Sequence, residues 1–479
     1  MSQLWREPSS FRDPSGYIIH ASDCVYRSLN RESYELVQAF LRSPAYTDLL
    51  DQELLIPTEI LDSAVQESLS AKEGLPDRCY VSHEKLWFVN YPYEWTAQML
   101  SDAAQCTLSV QTTLMKHGFQ LKDASAYNVH FDFGRNGLTP KFIDLGSIEP
   151  LSGTDGIWLP YKQFVSHFLL PLLYNRDMGH DFKGDFLTDL EGLDPDQAYR
   201  LLGWPKRLLP RYFTLVTLPH LLRRWEVKQE TTSKKRKSTG SEYEIEKALF
   251  ILSHTVRSLK GKVNRSVAKP KKSLWTDYEQ SNTYPAEAES GKREFLRGIC
   301  EEIRPKSVLD IGCNTGQFSL LAAEYGANVL AIDQDMPSLD RLYLRAREQQ
   351  SNVLPLRVDI SNPSPGIGWN NKERAAFLDR SSGFDCVFFL AVVHHLVVAK
   401  GIPLSEVVKL SHNLTSRYLV VELVDYSDPM FQSLVRGRDS LYTELTLEKQ
   451  ERDFAQKFTV LRSLRLPEMT RTLYLMERK

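Results

Sequence analysis

The chain has 479 residues, 59 Lys+Arg against 61 Asp+Glu, and a formal net charge of -2. Hydrophobic residues make up 42% and charged residues 25%, globular values that exclude wholesale disorder, and the length predicts two or three domains at roughly 150 residues each. The near-balance of charge leaves no global field for nucleic acid or an anionic membrane. No apolar run approaches the roughly 18–20 residues of a membrane-crossing helix; the greasiest stretch, Phe388 to Ala399, is interrupted by His394-His395. No membrane partner is therefore expected. The N-terminal residues lack the apolar core of a signal peptide, and the six cysteines show no CxxC spacing. A cytoplasmic, reducing location is expected, with no disulfide framework and no metal site.

In chain order, Tyr17–Ala21 and Val25–Leu29 read as an N-terminal hairpin and Leu86–Val89 as a strand before Tyr91-Pro92-Tyr93-Glu94-Trp95. A helix is predicted over Thr96–His117. Strands Val129–Phe133 and Lys141–Ile143 follow, joined by the turn sequence Arg135-Asn136-Gly137. Asp123 and Asn128 lie five residues apart before this hairpin, which ends in Asp144-Leu145-Gly146. That arrangement resembles the protein-kinase catalytic loop and metal motif. The resemblance implies that Asp123 orients a hydroxyl nucleophile while Asn128 and Asp144 face magnesium and phosphates. The chain departs from the pattern: Leu121-Lys122 stands where His-Arg is expected, no glycine-rich loop lies upstream, and Lys72 is in a loop-like Ala-Lys-Glu-Gly. Asp132-Phe133-Gly134 falls inside the first hairpin strand and is a decoy. Residues 1–225 are expected to be an α+β kinase-like domain of degenerate type.

Residues 226–292 read as a basic linker and connecting helix. Lys234-Lys235-Arg236-Lys237 and Lys269-Pro270-Lys271-Lys272 flank a helical segment, Glu242 to Lys262, with apolar residues at helical spacing. Any nucleic-acid contact is expected through this linker alone.

From residue 293 to 479, short apolar runs alternate with helical segments. Ser307–Ile311, Asn328–Ile332, Val353–Val358, Asp385–Leu390, Tyr418–Leu423 and Thr470–Met476 read as strands. Gln317–Tyr325, Met336–Gln349 and Leu404–Leu414 read as helices, an order that predicts a doubly wound α/β sheet. The first strand leads into Asp310-Ile311-Gly312-Cys313-Asn314-Thr315-Gly316; the second ends at Asp333 and the third at Asp359. A glycine bend lets backbone approach a ligand, an acid at the second tip suits ribose hydroxyls, and one at the third suits an exocyclic amine. The run is not the dinucleotide GxGxxG.

Residues 307–395 resemble a class I S-adenosylmethionine-dependent methyltransferase. The resemblance implies a Rossmann-like, seven-stranded sheet and S-adenosyl-L-methionine as cofactor. Asp310, Gly312, Asn314 and Gly316 match the loop under the methionine part, Asp333 the ribose acid and Asp359 the adenine acid. His394 and His395 follow the fourth strand, where the family places the transferred methyl, and are the candidate catalytic bases for an oxygen or nitrogen nucleophile. Asn362-Pro363-Ser364-Pro365 follows the third strand and reads as a rigid turn. Glu422 and Asp425, after the fifth strand, take a rim position like that of Gly368-Trp369 and Glu373-Arg374, as walls of the substrate side or as solvated loop charges. The whole layout resembles a bacterial family that includes host-specificity nodulation proteins of rhizobia, through Leu121 to Asn128, Trp275-Thr276-Asp277-Tyr278, Asp310 to Gly316, Asn362 to Trp369 and His394-His395. It implies a methyltransferase with an unidentified acceptor, its kinase-like part recognising that acceptor or covering the site. A bifunctional protein with a magnesium/ATP site and a non-catalytic scaffold are the alternatives.

Overall fold

The computed structural model describes residues 4–74, 77–151, 156–226, 242–268, 285–435, 437 and 441–479. The expected basic stretches at 234–237 and 269–272, and the Trp275 to Tyr278 stretch, lie outside them. The chain divides into two compact units. The first comprises Met1–Tyr93, Ala97–Asp132 and Thr139–Lys269; the second comprises Glu94–Thr96, Phe133–Leu138 and Pro270–Lys479.

The first unit opens on strands β1 (Trp5–Arg6), β2 (Gly16–His20), β3 (Cys24–Leu29), β4 (Thr58–Ile60) and β5 (Cys79–Glu84). They form an antiparallel sheet in the order β1-β2-β3-β5-β4. The hairpin expected at residues 17–29 is β2–β3. The strand expected at Leu86–Val89 is instead a loop. Its apolar pattern reflects burial of Phe88, and the Asn90 side-chain amide donates to the Phe88 and Phe131 carbonyls in place of a ladder.

The helix Ala97–Lys116 is buried on nearly every side, with Met99, Leu100, Ala103, Ala104 and Leu108 all inaccessible, as a central core helix requires. Strands β6 (Phe119–Leu121), β7 (Val129–Gly134), β8 (Gly137–Phe142) and β9 (Ile148–Pro150) follow, with β7 and β8 as a pair. The helix Glu242–Ser266, read in the sequence as a connector, packs on Ala97–Lys116. Leu252, Val256, Leu259 and Val263 are buried along one face. Gln105 donates to the Lys260 carbonyl at 3.1 Å, and Lys260 Nζ donates to Ser109 Oγ at 3.1 Å.

The second unit is built on β10 (Ser307–Ile311), β11 (Asn328–Asp333), β12 (Val353–Arg357), β13 (Phe384–Phe389), β14 (Thr415–Val424), β15 (Phe458–Arg465) and β16 (Arg471–Arg478). The seven strands run in the order β12-β11-β10-β13-β14-β16-β15. The first five are parallel and the last two antiparallel. Val308, Leu309, Ala331 and Phe388 are fully buried, because helices cover both faces of the parallel part. Ala286–Ile303, Gln317–Glu324 and Met336–Glu348 contribute Leu296, Leu321 and Leu342 to that core. The chain runs from β10 outward to β12, then crosses back to β13. The resulting crevice at the carboxyl ends of β10 and β13 is where ligands of such sheets bind. Sequence reading missed β15: it is the outer edge strand, mostly exposed and bearing Arg462 and Arg465, so it carries no clean alternation. Among the described residues no helix is long and apolar enough to cross a membrane.

Candidate active site

The loop after β10 bends sharply. Gly312 has φ +73° and Gly316 φ +78°, and Asn314 takes φ +51° between them. A β-carbon on Gly312 would collide with the Val392 side chain, and one on Gly316 with Leu342. The Gly312 amide donates to the Ile332 carbonyl at 2.8 Å, which ties the bend to the end of β11.

A cavity of about 430 Å³ opens over this bend, with Gly312, Asn314, Asp333, Asp359, His394 and His395 among its walls. The volume falls in the range of small-molecule sites. Asp333 Oδ2 accepts from the Asn314 amide at 2.9 Å and Oδ1 from the Asp335 amide at 2.9 Å. Burial pushes the Asp333 carboxyl above its ordinary value despite these bonds. Asp359 is more open. Burial raises it, but the Ser361 hydroxyl and amide and the Lys400 ammonium, 3.1 Å away, outweigh that and hold it below the usual carboxylate range.

Asp310 and Gly316 belong to the loop but not to the cavity wall. Asp310 is buried, accepts from Ser319 Oγ at 2.6 Å and is pushed by burial to about 6. The structure thus brings Gly312, Asn314, Asp333 and Asp359 around one space, with Asp310 behind the bend.

The opposite wall follows β13. Ala391 takes φ +57°, and His395–Ala399 forms one π-helical turn. Both histidines face the cavity with ring centroids 4.3 Å apart. His394 is only 4% exposed, and its Nδ1 has no hydrogen-bond partner. Burial, reinforced by His395 and Arg471, brings its pKa down to about 3. Burial and Arg471 also lower that of His395. Both rings are thus held toward the neutral form.

Behind the histidines lies a buried chain of alternating charge that sequence reading missed. Lys292 Nζ is 2.5 Å from Glu422 Oε2; Arg471 Nη1 is 3.5 Å from Glu422 Oε1; and Arg471 Nε donates to Asp428 Oδ2 at 3.0 Å. Glu422 is completely buried rather than on a solvated rim, and Arg471 reaches the cavity wall. Asp425, by contrast, caps its own loop through Ser427. Lys292 and Arg471 gave no signal because their partners are distant in sequence; a lone cation in an apolar run is the trace they leave.

In the first unit, Asp123, Asn128 and Asp144 also converge. Asn128 Nδ2 donates to Ser147 Oγ at 3.3 Å, and that hydroxyl donates to Asp144. Burial raises Asp123, with the Asp144 charge adding to it. The residue that organises the cluster is Arg27 on β3, absent from the sequence reading. Its guanidinium donates to Asp144 Oδ1 at 2.7 Å and to Asp13 Oδ2 at 2.6 Å. Burial raises the Asp144 carboxyl, but Arg27, Ser147 and the Gly146 amide outweigh it and hold it low. Asp132 is elsewhere, buried in β7 and 3.5 Å from Lys141.

A family model described as a methyltransferase domain matches residues 309–410. Nodulation protein NoeA of Rhizobium meliloti (strain 1021) is 31% identical over 479 residues, covering 99% of this chain and 96% of that protein. The O-antigen chain terminator bifunctional methyltransferase/kinase WbdD of Escherichia coli is 30% identical over 138 residues, 28% of this chain and 18% of its own length. Hexuronic acid methyltransferase AglP of Haloferax volcanii is 24% identical over 181 residues, 34% of this chain and 75% of that protein.

Proposed function

The chain belongs to the family of nodulation protein NoeA and is an S-adenosylmethionine-dependent methyltransferase; from that premise we propose that it passes the methyl group to an oxygen or nitrogen of a saccharide-bearing acceptor. The saccharide part rests on the names of two relatives, one an O-antigen chain terminator and one a hexuronic acid methyltransferase. The observation that carries the reading is the shared cavity: a bend that excludes a β-carbon, two carboxylates at strand tips, and a pair of imidazoles opposite them.

These residues fit an adenosine-bearing cofactor. The bend at Gly312–Asn314 takes the methionine part, Asp333 accepts the ribose hydroxyls and Asp359 the adenine amine. Asp310 acts from behind, holding Ser319 and the bend, and Gly316 starts the following helix. When bound, S-adenosylmethionine supplies a methyl group activated on a sulfonium. The chain's own task is then to place a nucleophile in line with it, since positioning supplies much of the barrier reduction in such transfers.

His394 suits that task as a hydrogen-bond acceptor. An imidazole with a pKa of about 3 stays neutral near pH 7 and is a weak base. It orients the acceptor's O–H or N–H rather than storing its proton. His395, more exposed, stands on the path by which a proton leaves to solvent.

Asp333→Ala tests the reading by calorimetry with S-adenosylhomocysteine. The wild type is expected to bind more tightly than ~1 mM, and the variant at least about tenfold more weakly, the size of one lost charged hydrogen bond. Wild-type binding weaker than ~1 mM points instead to a scaffold with a relic fold. Equal affinity in the variant moves the ribose elsewhere.

For the first unit, the convergence of Asp123, Asn128 and Asp144 beneath a β1-β2-β3-β5-β4 sheet supports a kinase-like domain of degenerate type that recognises the acceptor. As built, the cluster does not fit a divalent cation. Asp144 Oδ1 already accepts from Arg27 and the Gly146 amide, and Oδ2 from Ser147. Magnesium-dependent ATP binding that Asp144→Ala abolishes would overturn this and establish a bifunctional protein.

A further inference from the structure

Residues 195–222 of the first unit form a belt of short helices, Pro195–Leu201, Trp204–Arg207 and Pro210–Tyr212, continuing through Phe213–Thr217 into Leu218–Glu226. Pro195, Pro205, Pro210 and Pro219 sit near helix starts and break the belt into turns. One side is core: Ala198, Leu202, Tyr212, Leu215 and Val216 are buried. A surface helix ordinarily turns a polar face to water. This belt does not. Trp204 is 71% exposed and Leu208 60%, and Leu209, Phe213, Leu221 and Leu222 are exposed with them. Single exposed apolar residues need no explanation, but a run of this kind marks an interaction surface.

The charge of the belt selects its occupant. Across residues 195–222 four Arg or Lys residues, Arg200, Lys206, Arg207 and Arg211, stand against one acid, Asp196. The acids that pack against it are already engaged. Asp177 takes Arg176, Arg211 and the Tyr212 hydroxyl, and Asp196 takes His220. The Arg207 guanidinium stacks 3.9 Å from the Tyr199 ring centroid. Exposed Trp, Leu and Phe interleaved with cations is the pattern of a surface that lies in the headgroup layer of a membrane.

We propose that the belt around Trp204 and Leu208 docks the protein peripherally on an anionic lipid surface. The whole-chain charge of -2 set a membrane aside only as a global field, and the hydropathy only as a crossing helix; a local basic and apolar belt escapes both tests. The inference is independent of the cofactor site.

The test is co-sedimentation of the full chain with phosphatidylcholine vesicles, and with vesicles containing about 30% phosphatidylglycerol. Binding to the anionic vesicles is expected to exceed neutral binding by about tenfold or more and to weaken with salt. Trp204→Ala/Leu208→Ala is expected to reduce it about tenfold, and Arg200→Gln/Lys206→Gln to erase the preference for anionic lipid. Arg200, Trp204 and Leu208 are exposed and Lys206 is half-buried, and circular dichroism checks the fold of both variants. The proposal is overturned if the chain stays in the supernatant with both vesicles, or if neither variant changes binding. It is equally overturned if the chain sediments as a dimer that Trp204→Ala/Leu208→Ala dissociates, since a second copy then covers the belt.

Discussion

Gly312 takes a left-handed φ of +73°, and Val392 stands where its β-carbon would go. Gly312→Val therefore meets a strained backbone and a collision together. It is expected to lower S-adenosylhomocysteine affinity by more than about tenfold while the far-ultraviolet spectrum is kept; unchanged affinity in a folded variant would remove the bend from the site. His394 gives a pH signature. Its folded pKa of about 3 lies below the ordinary 6.5, so between those values the unfolded chain binds a proton that the folded chain refuses. Its contribution is fully present above about pH 6.5 and is lost as pH falls, by ~1.4 kcal/mol per pH unit. Urea unfolding from pH 6.5 to 4 should show the wild type losing that much more per unit than His394→Leu. At this scale, the convergence of Gly312, Asn314, Asp333, Asp359 and both histidines on one cavity was legible because strand-tip positions are fixed by local pattern. Asp310 was legible as a loop residue but not in its direction, since Ser319, which captures it, lies on the next helix.

The buried chain from Lys292 to Asp428 joins the helix Ala286–Ile303, β14, the segment after it and β16. Removing one member leaves a buried charge without compensation, so Arg471→Ala is expected to cost about 3–5 kcal/mol of unfolding free energy. A cost under ~1 kcal/mol in denaturant titration would mean that water replaces the guanidinium. The helix Glu242–Ser266 makes a parallel case with apolar groups. Leu259 is 1% exposed on the face toward Ala97–Lys116, and Leu259→Ala should cost about 2–5 kcal/mol. A near-zero effect would return this helix to the role of a connector. Its periodicity was plain in the sequence, but periodicity says which face is apolar and not which neighbour covers it. β15 was illegible for the opposite reason: an edge strand keeps its charges and so loses the alternation that announces a strand.

Two compact units give the whole molecule two places to store binding energy. A ligand stabilises only the unit that binds it, by ~2.7 kcal/mol at one hundred times its Kd. Scanning calorimetry with S-adenosylhomocysteine is therefore expected to raise one transition and leave the other in place. Movement of both together would show that the units unfold as one. The doubly wound half was readable because alternating strand and helix patterns admit few topologies. The first half hid its organiser, Arg27, in a strand whose significance depends on Asp13 and Asp144 arriving from elsewhere. The order of strands across the second sheet also bears on how the chain is made. β16 lies between β14 and β15 although it is synthesised after both. Until Arg471 leaves the ribosome, β14 has a bare edge and Glu422 and Asp428 lack their guanidinium. A nascent chain paused before that point thus exposes the kind of strand edge that recruits chaperones or wrong partners.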